Sequence, residues 1–196
     1  SGMLAFVSGT TSSGTSGSIT MGTGTAVNGK GGDMILSVGA GNTGHGGDIQ
    51  LLGGEISDKT GGAVSLSTGY GSTTTSGVIV FQTMNAGTTG TSGMLAFSSG
   101  TTSCGASGSI SVSTGSATGG EGGDILVNVG SSSTNNGGDI HITGGLTTAN
   151  GYNSGSIEIT AGASTSTTAA EGGDISLKGG EGTSFTGGHI MLSSGG

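Results

Sequence analysis

The chain contains no proline, no tryptophan and no arginine, a single cysteine, and aromatic residues at only 3% of its 196 positions. Each shortage excludes something. With no proline, nothing interrupts a backbone whose N–H groups must all be donated to neighbouring strands. The lone cysteine, Cys104, cannot close an internal disulfide; set in a Gly/Ser turn with no histidine nearby in sequence, it reads as a small incidental residue rather than a nucleophile. Charged residues are scarce at 7% and lopsided, eleven acids against three lysines for a net charge of -8. Phosphate recognition relies on cationic side chains to displace counterions, so neither nucleic acid nor an anionic membrane surface is an expected partner. No apolar run approaches the ~18 residues of a membrane-spanning helix.

What is present is glycine, 49 residues of it, with serine and threonine making up most of the remainder. A quarter glycine without a strict third-position period excludes collagen, and composition alone would suggest low-complexity disorder. The apolar residues argue otherwise, because they are phased. The stretch Ser107-Gly108-Ser109-Ile110-Ser111-Val112-Ser113-Thr114-Gly115 recurs with small changes thirteen times, as a small residue and a glycine followed by x-Φ-x-Φ-x-x-Gly. Alternation at a period of two places both Φ side chains on one side of an extended segment.

The units begin at Ser1, Ser16, Gly31, Gly46, Gly61, Ser76, Ser92, Ser107, Gly122, Gly137, Ser154, Gly172 and Gly187, and nine of the twelve spacings are fifteen residues. The units from Ser76, Gly137 and Ser154 are longer by one, two and three residues, the additions falling within 85–91, 146–153 and 163–171. Length change collects in exposed connections, so each unit is expected to be one short strand plus a tolerant loop. Position four runs from Leu4 and Ile19 to Ile190, position six from Phe6 and Met21 to Leu192, and both are apolar in all thirteen units. Burying each side chain is worth roughly 1.5–3 kcal/mol, whereas ordering a unit costs about 1–2 kcal/mol for every residue. One unit cannot fold alone, and the expected fold is an all-β solenoid (a β-helix) in which stacked turns share a core built from these two rows. Glycine at positions two and nine is expected to serve positive φ or close backbone approach at the corners.

Residues at position five bear on the number of strands per coil. Taken in threes, one set reads Thr20, Ser65, Ser111, Glu158, a second Ile35, Val80, Leu126, Ser176, and a third Ala5, Gln50, Ala96, His141, Met191. A wet face beside an apolar stripe favours three strands per coil of about 45 residues, as three units at a fifteen-residue period imply. Three per coil also keeps Asp33 off Asp48 and Asp124 off Asp139. Two strands per coil is the alternative. The stripe Ile35, Val80 and Leu126 is the expected lateral interface, since contiguous exposed apolar surface marks association. Ser1-Gly-Met-Leu-Ala-Phe returns as Ser92-Gly-Met-Leu-Ala-Phe, so residues 1–91 and 92–186 read as an internal duplication within one continuous segment, 1–196. The chain starts at one repeat boundary and stops inside another, and is expected to be part of a longer protein, stacked end to end because its terminal units lack polar caps.

Candidate chemistry is thin. Gly39-Ala-Gly41-Asn-Thr-Gly44 matches a dinucleotide-binding pattern but precedes another strand-like unit instead of a helix, and is set aside. Asp33, Asp48, Asp124, Asp139 and Asp174 each follow a Gly-Gly pair. Calcium-binding β-rolls place aspartates in successive turns, which makes these five candidates for calcium, although their spacing differs from the nine-residue roll. His45, His141 and His189 lack a nucleophile and acid at matching offsets, and no paired-carboxylate, Cys-His or HExxH arrangement occurs, so no catalytic residue is assigned. Abundant threonine raises ice binding as an alternative, but the rank breaks at Val38, Gly53 and Val129. Ser and Thr could carry O-linked glycan, whereas no N-x-S/T acceptor is present.

Ser-Gly-Ser-Ile-Ser-Val-Ser-Thr-Gly and Gly-Gly-Asp-Ile-Leu-Val-Asn-Val-Gly resemble the Gly/Ser/Thr-rich GGxIxLxxG arrays of secreted and surface proteins of algae and related protists. The resemblance spans the chain and is compositional. It implies a β-solenoid in an extracellular, fibrous or adhesive setting, and it carries over no active-site residue. The expectation is a non-enzymatic segment of an extracellular or cell-surface filament that associates with itself, the alternatives being an ice-binding module or a calcium-stabilised adhesin.

Overall fold

The period of the sequence reappears as a period of bends. The computed structural model describes residues 2–168 and 170–195. Within them the backbone bends at 12–14, 27–29, 42–44, 57–59, 72–74 and 88–89, then at 103–105, 118–120, 133–135, 149–151, 167–168 and 183–185. In the three longer units the bends fall inside the stretches that hold the extra residues. Left-handed backbone occurs at these bends: Gly14, Gly44, Gly105 and Gly151 have φ between 80° and 110°, and Asn28 has φ of 59°. Glycine takes this conformation without a Cβ clash, and asparagine tolerates it better than most residues.

Hydroxyls hold the bends. The Thr11 hydroxyl donates to the Ser13 carbonyl at 2.6 Å and faces the Ser13 N–H at 3.2 Å. Thr102 makes the same pair of contacts with Cys104, at 3.1 and 3.3 Å. Ser166 repeats the arrangement with Thr168. Threonine and serine thus occupy turn backbone groups that would otherwise bond to water.

The base of each loop brings position two of one unit against positions eight and nine of the unit before it. The Gly62 N–H donates to the Gly54 carbonyl at 2.8 Å, and Gly77→Gly69, Gly155→Gly145, Gly173→Gly162 and Gly188→Gly180 repeat the bond at 2.8–3.2 Å. A Cβ on Gly47 would lie 2.8 Å from Cγ1 of Val38, and one on Gly62 would lie 2.8 Å from the Gly54 nitrogen. Every position-two glycine from Gly17 to Gly188 has such a neighbour within 3.5 Å. Where position eight is itself glycine, at Gly53, Gly144 and Gly179, backbone packs on backbone and the loop-base hydrogen bond is 2.8–2.9 Å. Position nine differs: a Cβ on Gly9, Gly24 or Gly39 would meet nothing within 4 Å. Close approach therefore explains position two, whereas neither close approach nor positive φ applies at these position-nine glycines.

The expected all-β solenoid is not formed. The described residues contain no helix and no strand, hence no β-helix, neither three nor two strands per coil, and no stacked turns. None of them is buried; the least exposed large apolar side chain, Ile79, still shows 43% of its surface. Ile110 and Val112, expected inside, are 58% and 73% exposed. The chain presents 19476 Å² to solvent. A compact protein of this mass would present about 8,100 Å² and its unfolded chain about 26,000 Å², so only about a quarter of the unfolded surface is hidden.

The physical reason lies at the loop base. The loops bring a position-two glycine to another glycine or to a Ser, Thr or Val side chain, and a glycine on one side of the contact offers little apolar surface to hide. No ladder continues beyond that contact among the described residues. With two apolar residues in about fifteen, little is gained by drawing the stretches together, and the ordering cost dominates.

The chain divides into two units, Ser1–Ala96 and Phe97–Gly196. The first holds the loop bases at Gly54/Gly62 and Gly69/Gly77. The second holds those at Gly145/Gly155, Gly162/Gly173 and Gly180/Gly188. The division falls between Ala96 and Phe97, positions five and six of the repeat beginning at Ser92.

Candidate functional site

The residues proposed from sequence for metal binding do not converge. Asp33, Asp48, Asp124, Asp139 and Asp174 are all exposed. Asp33 is engaged by Lys30, whose Nζ lies 2.8 Å from Oδ1 and 3.0 Å from Oδ2. Asp139 Oδ2 stands 3.8 Å from Nε2 of His141. Both are solvent-exposed pairs of the kind that adds little to stability. Among the described residues no group of three or more His, Cys, Asp or Glu side chains could hold a metal ion. Among the described residues no pocket interrupts the surface, so none of them lines a small-molecule site of the usual concave form. No helix among the described residues is long and apolar enough to cross a membrane.

Cys104 lies at the bend 103–105 with its thiol exposed. One equivalent of a thiol reagent such as Ellman's should therefore react at once with the native chain, at the rate seen in denaturant. A native rate slower by about tenfold or more would mean that the thiol is covered.

The distinctive surface is apolar. Ile35, Val80 and Leu126 are 84%, 68% and 81% exposed, so each is available to a partner. Positions four and six, expected as core, are also outside. Position four is the more shielded member in every pair from Ile19/Met21 to Ile190/Leu192. Ile35, Val80 and Leu126 are each more exposed than the apolar residues on either side of them, so alternation survives only as a small difference in exposure, not as an inside and an outside. The sequence pattern placed positions four and six in a core, and the structure leaves them exposed like every other large apolar side chain of the described residues. Comparison with protein-family models, with curated proteins and with solved structures yields no match for this chain.

Proposed function

We propose that the chain is a non-enzymatic structural repeat segment of an extracellular or cell-surface filament or adhesive protein, which associates with itself through exposed apolar side chains. The observation that carries this reading is the 19476 Å² surface, across which the large apolar side chains remain outside. Apolar surface left in water is a driving force for association. The acidic, lysine-poor composition disfavours nucleic acid and anionic membranes as the partner. The compositional resemblance to surface-protein arrays supports the extracellular setting.

Lateral contacts are assigned to the exposed position-five residues Ile35 and Val80 in the first unit and Leu126 in the second, each taken by itself. Val80→Lys places a cation at one of these contacts and should shorten or thin the assemblies seen by electron microscopy. Assemblies indistinguishable from those of the parent chain would remove Val80 from the contact.

A further inference from the structure

We propose that Asn28 is a site of spontaneous covalent modification, where the side-chain amide is lost to the neighbouring Gly29 nitrogen and water leaves aspartate or isoaspartate in its place. This modification is independent of self-association and needs no enzyme.

Asparagine followed by glycine occurs three times, at Asn28-Gly29, Asn136-Gly137 and Asn150-Gly151. Asparagine is among the thermolabile residues, and a following glycine has no Cβ to crowd the ring that forms. All three pairs are exposed, so water reaches each of them. Backbone conformation separates them. Gly14, Gly44, Gly105 and Gly151 carry a left-handed φ at the last residue of their bends. In the bend 27–29 it falls one residue earlier, on Asn28 (φ 59°), and Gly29 does not share it. Among the described residues no other non-glycine adopts it. A positive φ at the first central residue alone is the type II′ pattern, with ψ there of about -120°. At that ψ the Cα–Cβ bond eclipses the next amide nitrogen, which brings the Gly29 nitrogen within reach of Asn28 Cγ. Asn150 shows the opposite pattern, φ positive only at Gly151, which is that of a type II turn with ψ of about +120°. There the nitrogen points away from the side chain. Asn136 lies outside its bend, 133–135, and has no positive φ.

Bracing separates the three in the same sense. Near Asn136 the Ser132 hydroxyl accepts the Asn135 N–H at 3.1 Å. Near Asn150 the Thr147 hydroxyl accepts the Ala149 N–H at 3.3 Å, and Gly155 closes the loop on Gly145 at 2.8 Å. No hydrogen bond among the described residues engages Asn28 or Gly29. Their loop is closed further out, where the Thr23 hydroxyl donates to the Gly32 carbonyl at 3.0 Å. The Gly29 N–H therefore has no acceptor to leave before it reacts.

The Gly29 nitrogen gives its proton to solvent base and bonds to Asn28 Cγ. The Cγ–Nδ2 bond breaks, and ammonia departs with a proton from solvent, leaving a succinimide. Water then opens the ring. Attack at Cγ restores the main chain and gives aspartate; attack at the main-chain carbonyl carbon gives isoaspartate, in which the chain runs through Cβ and Cγ. Nothing is oxidised or reduced, and water is the co-reactant. Either product takes the net charge one unit below -8. It also places a carboxylate two residues from Lys30, whose Nζ holds Asp33 at 2.8 Å. Isoaspartate lengthens by one methylene the loop that Thr23 and Gly32 close.

The test holds the full chain in mildly alkaline buffer and follows the three pairs by peptide mapping with mass spectrometry, which separates the asparagine, aspartate and isoaspartate forms. Asn28 should convert about tenfold or more faster than Asn136 or Asn150, the gain expected when reacting atoms are already placed. In guanidinium chloride the bend is lost and the three rates should draw together. Gly29→Ala should slow conversion at Asn28 and leave Asn136 and Asn150 unchanged; its Cβ would meet only that of Ala26, at 4.0 Å, so the bend need not open. Equal native rates, or Asn136 or Asn150 in the lead, would overturn the assignment. So would a lead for Asn28 that persists undiminished in guanidinium chloride, because neighbouring sequence and not conformation would then set the rate.

Discussion

Replacing Gly62 with alanine should open the loop that its N–H closes, whereas the same replacement at Gly46 should have no such effect. The Cβ added at position 62 would lie 2.8 Å from the Gly54 nitrogen, a distance that real Cβ contacts do not occupy, so the loop base must separate. Separation breaks the 2.8 Å bond from the Gly62 N–H to the Gly54 carbonyl. Such a bond contributes about 0.5–1.5 kcal/mol net, so amide exchange at residue 62 should quicken by about tenfold. At Gly46 the new methyl meets nothing within 4 Å. There the reduced freedom of the unfolded chain is the main effect, neutral or slightly favourable. Unchanged protection at residue 62 of the alanine variant would show that the close approach does not exist in solution.

The second large effect concerns heat and denaturant. A compact domain of 196 residues unfolds with a heat-capacity change of roughly 12–15 cal/mol/K per residue and a sharp, two-state transition. This chain hides only about a quarter of its unfolded surface, against roughly 70% for a compact protein of the same size. At low concentration, calorimetry should accordingly show a broad, weak transition, and the urea m-value should be well under half of that expected from chain length. As the concentration rises and copies associate, the midpoint should rise with it, because only the associated state gains from burial. A sharp transition at a concentration-independent temperature would demonstrate an internal core and contradict the exposure of Ile110 and Val112.

Much of the local structure was legible. The fifteen-residue beat located the loops: bends at 12–14, 27–29 and 42–44 keep the spacing of Ser1, Ser16 and Gly31. The extra residues after Ser76, Gly137 and Ser154 are accommodated at bends 88–89, 149–151 and 167–168. Glycine at position two was legible as a site of close approach, because a residue type retained through every unit where serine and threonine abound points to a missing Cβ. Position nine looked equivalent in sequence and is not, since its Cβ direction at Gly9, Gly24 and Gly39 leads into open space. The spacing of Ile110 and Val112 was read as burial, and both are exposed. The aspartates share a position in the repeat but are not gathered into one site.

The order of residues by itself determined where the backbone turns and where a glycine permits close approach at the base of a loop. These are decided within a few residues, by steric limits on φ and by hydrogen bonds of short reach. Only the tertiary structure decided whether the apolar side chains meet a covering surface. Burial requires a second apolar surface brought within contact distance, and the loop bases beside Ile110 and Val112 bring Gly108 to Ser99 and Gly123 to Thr114 instead.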